Sequence, residues 1–480
     1  MESKAKLNIV CAALALGIAG DALLRATPWG INALLCAGAL AWAVGWTGRQ
    51  SKQTMPVADY WPLLPACVFA AGLAWRDSAT LRILDIAAFW LSLAMLVWRA
   101  QGMLFTAVGP TKYLRGILET AGHTLVGFPH LMFRDIAWRE MPGQIALKQA
   151  SAALTGVVLA VPFLLLFGGL FMTADVAYQQ LILRLVRVDF VELSEHFLVG
   201  MGCAWLAGGY LRAVLFPAGQ PPVISETGRI SSLGAIEVGV ALGLLNLLFL
   251  SFVIVQFRYL FGGADLVEVT PGITYAEHAR RGFFELVTVS ALVLPLLLGA
   301  DWLLGAPGRK RAFRAQAAVM ILLLFVIMTS ALQRMRLYQN EFGLTELRLY
   351  TTVFMAWLVL IFVWFAATVL RGNRAPFAFG TLISGLATIV TLNILNPDAL
   401  IVRANVARTT EGRHFDVPYA ASLSADAVPD LVSLVPQLKT EDQQNLISRL
   451  SARWRSPTKT DWRSWNLSRS KAGRAVEQLQ

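Results

Sequence analysis

Residues 233–257 read LGAIEVGVALGLLNLLFLSFVIVQF, a stretch with one acid, Glu237, and no basic residue. A helix needs ~20 mostly apolar residues to cross a hydrocarbon core of ~30 Å, so this segment is long enough to span a bilayer. It lacks the period-2 alternation of a barrel strand, and a backbone in lipid must satisfy its own hydrogen bonds, so the span is read as a helix. Similar stretches flank it at 7–24, 29–46, 60–75, 81–98, 150–173 and 196–216, and again at 283–304, 315–332, 347–370 and 377–395. The expected fold is all-α, a polytopic bundle of about eleven transmembrane helices with a small C-terminal helical tail. Its organisation reads as an N-terminal four-helix membrane region (1–99), a cytoplasmic or interfacial connection (100–149), a core bundle (150–395) and a polar helical tail (396–480).

Composition agrees. Hydrophobic residues make up 56% and charged residues 15%, against ~45–50% and ~25% in soluble domains. The formal charge of +11 is assigned to arginine and lysine at helix ends beside anionic lipid. No basic stripe interleaved with aromatics points to nucleic acid. Cys11, Cys36, Cys67 and Cys203 lie unpaired in apolar segments and read as small buried hydrophobes, not as metal ligands or disulfides.

Basic residues set the expected orientation. The N-terminus and every second connection carry 18 of them, the alternate connections 11. Arg309, Lys310, Arg311 and Arg314 crowd one short connection without an acid, whereas Asp175, Asp189, Glu192 and Glu195 mark the opposite side. The N-terminus is therefore placed in the cytoplasm and the tail outside. Two connections, 128–138 and 176–195, have the amphipathic pattern of helices lying in the interface, with Phe133 and Trp138 expected to enter the apolar layer.

Ionisable groups inside spans are costly and become candidates for function. Glu237 and Asp85 are the candidate proton or ion site. Gly239 and Gly243 beside Glu237 suggest a close helix contact, and Arg212 is a possible partner for the carboxylate. Asn246, Gln256 and Asn393 read as polar glue between helices. Three polar clusters fall on one side by parity. The first holds Arg258, Tyr259, Tyr275, Glu277 and Arg280; the second Arg334, Tyr338, Thr345 and Arg348; the third Asn396, Asp398, Arg403 and Asn405. Thr274 and Glu277 fit a capping box. Arg280, Arg348 and Arg403 are expected to meet Glu277, Glu346 and Asp398 in one polar cap, either as ion-pair scaffolding or as a ligand site.

The sequence YLFGG, then TYAEHARRGFFEL, RMRLYQNEFGLTELRLY and LNPDALIVRAN, resembles a bacterial multi-pass inner-membrane family known only as domain of unknown function 4173, within the 4153 group. The resemblance runs over residues 233–408. His278 departs from it, where the family pattern has tyrosine. It implies a bacterial envelope location and no particular reaction.

In the tail, 415–434 reads as a loop and a helix, with Pro429 early in it or as a break, and 440–454 as a helix with Leu446, Ile447, Leu450 and Trp454 near one face. So little apolar area suits docking on the bundle or on an envelope protein partner. There is no phosphate loop, HExxH, paired-cysteine zinc spacing or GxSxG elbow, and no cofactor or catalytic residue is assigned. The expected function is a non-enzymatic scaffold or sensor in contact with the bilayer and a partner. The alternatives are a proton- or ion-coupled transporter or channel, and an enzyme acting on a lipid-linked substrate.

Overall fold

Apolar runs without helix breakers become long helices, and ten helices among the described residues of the computed structural model are long and apolar enough to cross a membrane. The described residues are 2–51, 55–136, 160, 167, 170–171, 175, 190–216, 234–261, 283–304, 310–409, 413, 415–455 and 461–479. Their helices are α1 (Glu2–Leu24), α2 (Ile31–Gln50), α3 (Leu63–Trp75), α4 (Ala79–Ala100), α5 (Pro110–His130), α6 (Phe190–Leu215), α7 (Ala235–Phe261), α8 (Phe283–Leu303), α9 (Lys310–Phe342), α10 (Glu346–Thr368) and α11 (Ala375–Leu395). The tail adds α12 (Pro397–Thr409), α13 (Val417–Ser422), α14 (Val428–Leu434), α15 (Thr440–Trp454) and α16 (Leu467–Glu477). No strand occurs among the described residues. The chain is a multi-pass integral membrane protein. The expected span at 150–173 lies outside the described residues, as does the amphipathic segment at 176–189.

α1–α6 form one group, held where small residues let backbones meet. A Cβ on Gly17 would lie 2.6 Å from the Gly200 carbonyl oxygen, and one on Gly209 only 2.0 Å from that of Thr124. This is the small-residue contact that takes the place of hydrophobic driving force in lipid. It falls on α1–α6 and α5–α6, not at Gly239 and Gly243 as the sequence suggested. A Cβ on Gly239 would meet nothing within 4 Å, and one on Gly243 only Gln316. Among the described residues no backbone approaches that stripe closely enough to need its glycines.

α7–α11 form the second group around Leu297, Met320, Leu324, Phe362 and Phe365. α11 joins the two groups, packing Leu386 with Phe69, Met95 and Trp98. Large side chains such as Ile18 (73% exposed), Ile83 (68%) and Leu198 (68%) face outward from the helices, where lipid accepts them.

α5 is not among the spans. Its buried face is Tyr113, Gly116, Thr120, Thr124 and Gly127, with Trp98 Nε1 donating to Thr120 Oγ1 at 3.0 Å. Leu114, Leu118 and Leu125 face out. This amphipathic helix precedes most of the stretch 128–138 and ends in a π turn at Leu131–Asp135 that leaves Phe133 exposed. Trp138 lies outside the described residues.

The tail has its own core. Val428, Leu431, Leu446, Leu450, Ala472 and Val476 bury against Ile401 and Val402 of α12. Pro429 sits in the first turn of α14, where its missing N–H costs nothing.

Candidate functional site

The last carbonyls of a helix have no partner within it, and its C-terminal end carries partial negative charge. α1, α3, α9 and α11 bring four such ends to one side of the bundle, and side chains of the tail and of the α3–α4 connection cover them. Arg463 Nη1 donates to Ala22 O at 2.5 Å at the end of α1. Asn466 Nδ2 donates to Leu73 O and Arg76 O, each at 2.9 Å, and Ser468 Oγ to Trp75 O at 2.8 Å, closing α3. Arg408 Nη2 reaches Asn340 O at 2.7 Å and Glu341 O at 2.9 Å in the last turn of α9. Arg76 Nε reaches Asn393 O at 2.7 Å on α11. The tail is a lid on these helix ends.

Asp426 is the centre of the lid. Its side chain is 1% exposed and pairs with Arg76 Nη1 at 3.4 Å. Asp426 Oδ2 accepts from Asp77 N at 2.7 Å and Ser78 N at 3.0 Å, and Oδ1 from Ser468 Oγ at 2.5 Å. One carboxylate therefore joins the α3–α4 connection to two parts of the tail. Charge-assisted bonds of this kind are among the stronger ones, and losing the acceptor would strand several buried donors.

Asp398, at the start of α12, is fully buried. Its Oδ2 accepts from Ser424 N at 3.1 Å and touches Ser424 Oγ, and its Oδ1 has no partner. Burial, with Glu346 and Asp426 nearby, pushes its carboxyl up to about 7 against the Ser424 hydrogen bonds. The α12 dipole favours an anion here, but the nearby Ala399 N is taken by Asn396 Oδ1 at 3.3 Å.

The structure brings together part of the cap expected from sequence. Asn396, at φ 53°, ends α11, and its Nδ2 donates to Asp426 O at 3.2 Å. Asn405 clasps Leu344, accepting from its N at 2.7 Å and donating to its O at 2.8 Å. Gly343 (φ +78°) makes the turn that permits this. Thr345 precedes α10 in extended conformation, without a side-chain cap bond.

Among the described residues, Arg348 and Arg403 do not pair with Glu346 or Asp398. Arg348 lies 4.1 Å from the Tyr338 ring centroid and donates to the carbonyls of Phe342 and Gly343, while Arg403 pairs with Asp430 at 3.1 Å. Residues two or five apart point away from each other on a helix, so Glu346 cannot face Arg348, nor Asp398 face Arg403. Arg334 Nη2 donates to Gln256 Oε1 at 3.2 Å. Tyr275, Glu277 and Arg280, with the proposed capping box, lie outside the described residues, as do the side chains of Arg258 and Tyr259.

Within the membrane groups, Glu237 stands exposed in the first turn of α7, not mid-span, and Arg212 pairs with Asp135 at 2.5 Å instead. Asp85 is buried. Its Oδ1 accepts from Asn393 Nδ2 at 2.7 Å, its Oδ2 has no partner, and Gly72 leaves the space it occupies. Asn393 links Asp85 to Arg76, and Arg76 links it to Asp426. Sequence reading missed Arg76, Asp77, Ser78, Ser424, Asp426, Asn466 and Ser468. Their types are ordinary for loops, and only the DWRSWNLS run, an Asx- and Ser-rich turn signal, hinted at capping. Among the described residues no group of three or more His, Cys, Asp and Glu is placed to hold a metal ion.

No curated protein and no solved structure matches the chain. A family model matches residues 63–434, taking in α3 through α14 and hence Arg76, Asp77, Ser78, Asp85, Asn393, Asp398 and Asp426. The chain therefore belongs to the family described as Domain of unknown function (DUF4153).

Proposed function

We propose that this protein is a non-enzymatic scaffold or sensor of the bacterial inner membrane, with its N-terminus in the cytoplasm and its C-terminal lid outside, where an envelope protein partner meets it. The observation that carries the reading is Asp426, a buried carboxylate that receives donors from both the α3–α4 connection and the tail. A tail held this firmly, with a core of its own, is a part of the membrane body and presents a fixed outer surface. Trp462 (64% exposed) and Trp465 (45%) stand on that surface. Exposed tryptophan is common where proteins meet partners or headgroups.

A photo-crosslinking residue at position 462, in cells, tests the reading. A discrete protein adduct that is lost in Asp426→Ala supports it; no protein adduct contradicts it. Arg474→Cys labelled by a membrane-impermeant maleimide in intact cells tests the side.

One observation favours a second reading, a proton-coupled transporter. Asp85 is buried within a span and has an oxygen without a donor, as an intramembrane proton carrier would. In proteoliposomes an imposed proton gradient should decay as in empty vesicles, unchanged by Asp85→Asn. Flux that depends on Asp85 would overturn the scaffold reading in favour of transport.

A further inference from the structure

Ser424 Oγ lies within hydrogen-bond reach of two buried carboxylates, Asp398 Oδ2 and Asp426 Oδ2, the latter at 3.2 Å. A hydroxyl has one proton to donate. If both carboxylates were charged, one of them, itself buried, would face the oxygen lone pairs of Ser424, an arrangement that buried polar groups avoid. One further proton resolves this. It belongs on Asp398, because Asp426 already has Asp77 N, Ser78 N, Ser468 Oγ and Arg76 around it, whereas Asp398 has only Ser424 and an oxygen with no partner.

We propose that Asp398, Ser424 and Asp426 form a proton-binding latch in which neutral Asp398 donates to Ser424 Oγ, Ser424 donates to Asp426, and the bound proton fastens the lid to the bundle. The proposal rests on the reading of the tail as a docked lid and adds what regulates it. No covalent bond changes; the proton is taken up from solvent as the lid closes over Asp398 and returns there when the lid opens and Asp398 ionises.

The charged and titratable groups around the latch come from every packed element. α10 supplies Glu346 and Tyr350, the latter 3.5 Å from Ser78 Oγ. α13 supplies Tyr419, whose hydroxyl accepts from Glu346 N at 2.9 Å. The α3–α4 connection supplies Arg76 and Asp77. Arg469 of α16 lies 3.5 Å from Asp77, and Arg403 of α12 is occupied by Asp430 of α14. Cation charge is thus spent on Asp426, Asp77 and Asp430, and Asp398 has none within ion-pair reach among the described residues.

The sign follows from the proton count. The folded lid holds the Asp398 proton with an affinity raised from the ordinary carboxylate value of 3.8 to about 7, and the open state does not. Closure is therefore strongest in acid and weakens as pH rises, with the loss complete above about 7.

The test is hydrogen exchange at the amides of Asp77 and Ser78, which donate to Asp426, on the full-length protein in nanodiscs, with rates corrected for the intrinsic pH dependence of exchange. Between pH 6 and pH 8.5 wild-type protection should fall about tenfold. Asp398→Asn keeps a donor toward Ser424 and should stay protected at both pH values. Ser424→Ala should be poorly protected at both. An infrared band of a protonated carboxyl, present at pH 6 in the wild type and missing in Asp398→Asn, reads the same proton without relying on stability.

Protection that does not vary with pH in the wild type would overturn the latch and leave the docked lid standing. Low protection at every pH would overturn the docked lid itself. Loss of pH dependence in Glu346→Gln, with Asp398→Asn still responsive, would move the proton to Glu346 and contradict the assignment.

Discussion

The membrane groups and the lid bury opposite things. In α1–α6 the contacts are made by Gly17, Gly20, Gly127, Gly200 and Gly209, while Ile18, Ile83 and Leu198 look outward. In the lid Val428, Leu431, Leu446 and Leu450 fill the interior, and arginines such as Arg403 and Arg413 lie outside. The difference follows from the solvent each region meets. Lipid gives helices no hydrophobic reason to associate, so close approach and polar contacts hold them. Water drives the apolar residues of the lid together. The two regimes meet at the helix ends, where the tail and the α3–α4 connection supply donors to the last carbonyls.

Four outcomes would break or sharpen that contrast. The largest effect is expected from Asp426→Ala, which strands Arg76 and the amides of Asp77 and Ser78. The lid should loosen by ~3–5 kcal/mol, with helix content unchanged; hydrogen exchange over residues 73–78 and 466–469 measures it. Next, Leu446→Ala should cost ~2–5 kcal/mol in the lid core, while Ile18→Ala on the lipid face stays within ~0.5 kcal/mol, both read from SDS unfolding titrations. Equal costs at the two sites would end the two-solvent account. Third, Gly209→Ala pushes α5 off α6 against a backbone carbonyl, a cost of ~1–3 kcal/mol, seen as faster exchange along α5. The smallest effect belongs to Gly239→Ala, which meets open space and should stabilise α7 by ~0.5–1 kcal/mol. Destabilisation there would reveal a helix partner for that face.

The spans were legible because ~20 apolar residues have few other uses. The ends of α6, α10 and α11 fall within a few residues of the sequence reading, apart from the start of α6, and α15 begins and ends where its pattern says. Gly239 shows the limit. A small-xxx-small pair licenses close approach but does not say which helix approaches, and the real contacts lie at less regular spacings in α1, α5 and α6.

The cap was half legible. Asn396, Asp398 and Asn405 announce themselves beside a helix break, and the side they share follows from span parity. Their partners do not announce themselves, since Arg76 and Asp426 are 350 positions apart and neither stands in a distinctive pattern. Arg348 and Arg403 are expected from sequence to share one cap with Glu346 and Asp398, whereas Arg348 goes to carbonyls and a ring and Arg403 to Asp430. Asp85 stands out in the sequence as an acid inside a span, and it lies buried in α4. Its partner Asn393 read only as generic glue, because no local feature ties α4 to α11.

The most direct test of the central claim is the distance between lid and bundle in the intact protein. Spin labels at Ala79→Cys on α4 and Arg474→Cys on α16, both exposed positions, would be placed in a chain whose four native cysteines are replaced by alanine. Pulsed dipolar spectroscopy in nanodiscs should give one narrow distance distribution, broadened when Asp426→Ala is added. A broad distribution in the otherwise unaltered chain, indifferent to Asp426, would contradict the claim that the tail is fastened to the helix ends.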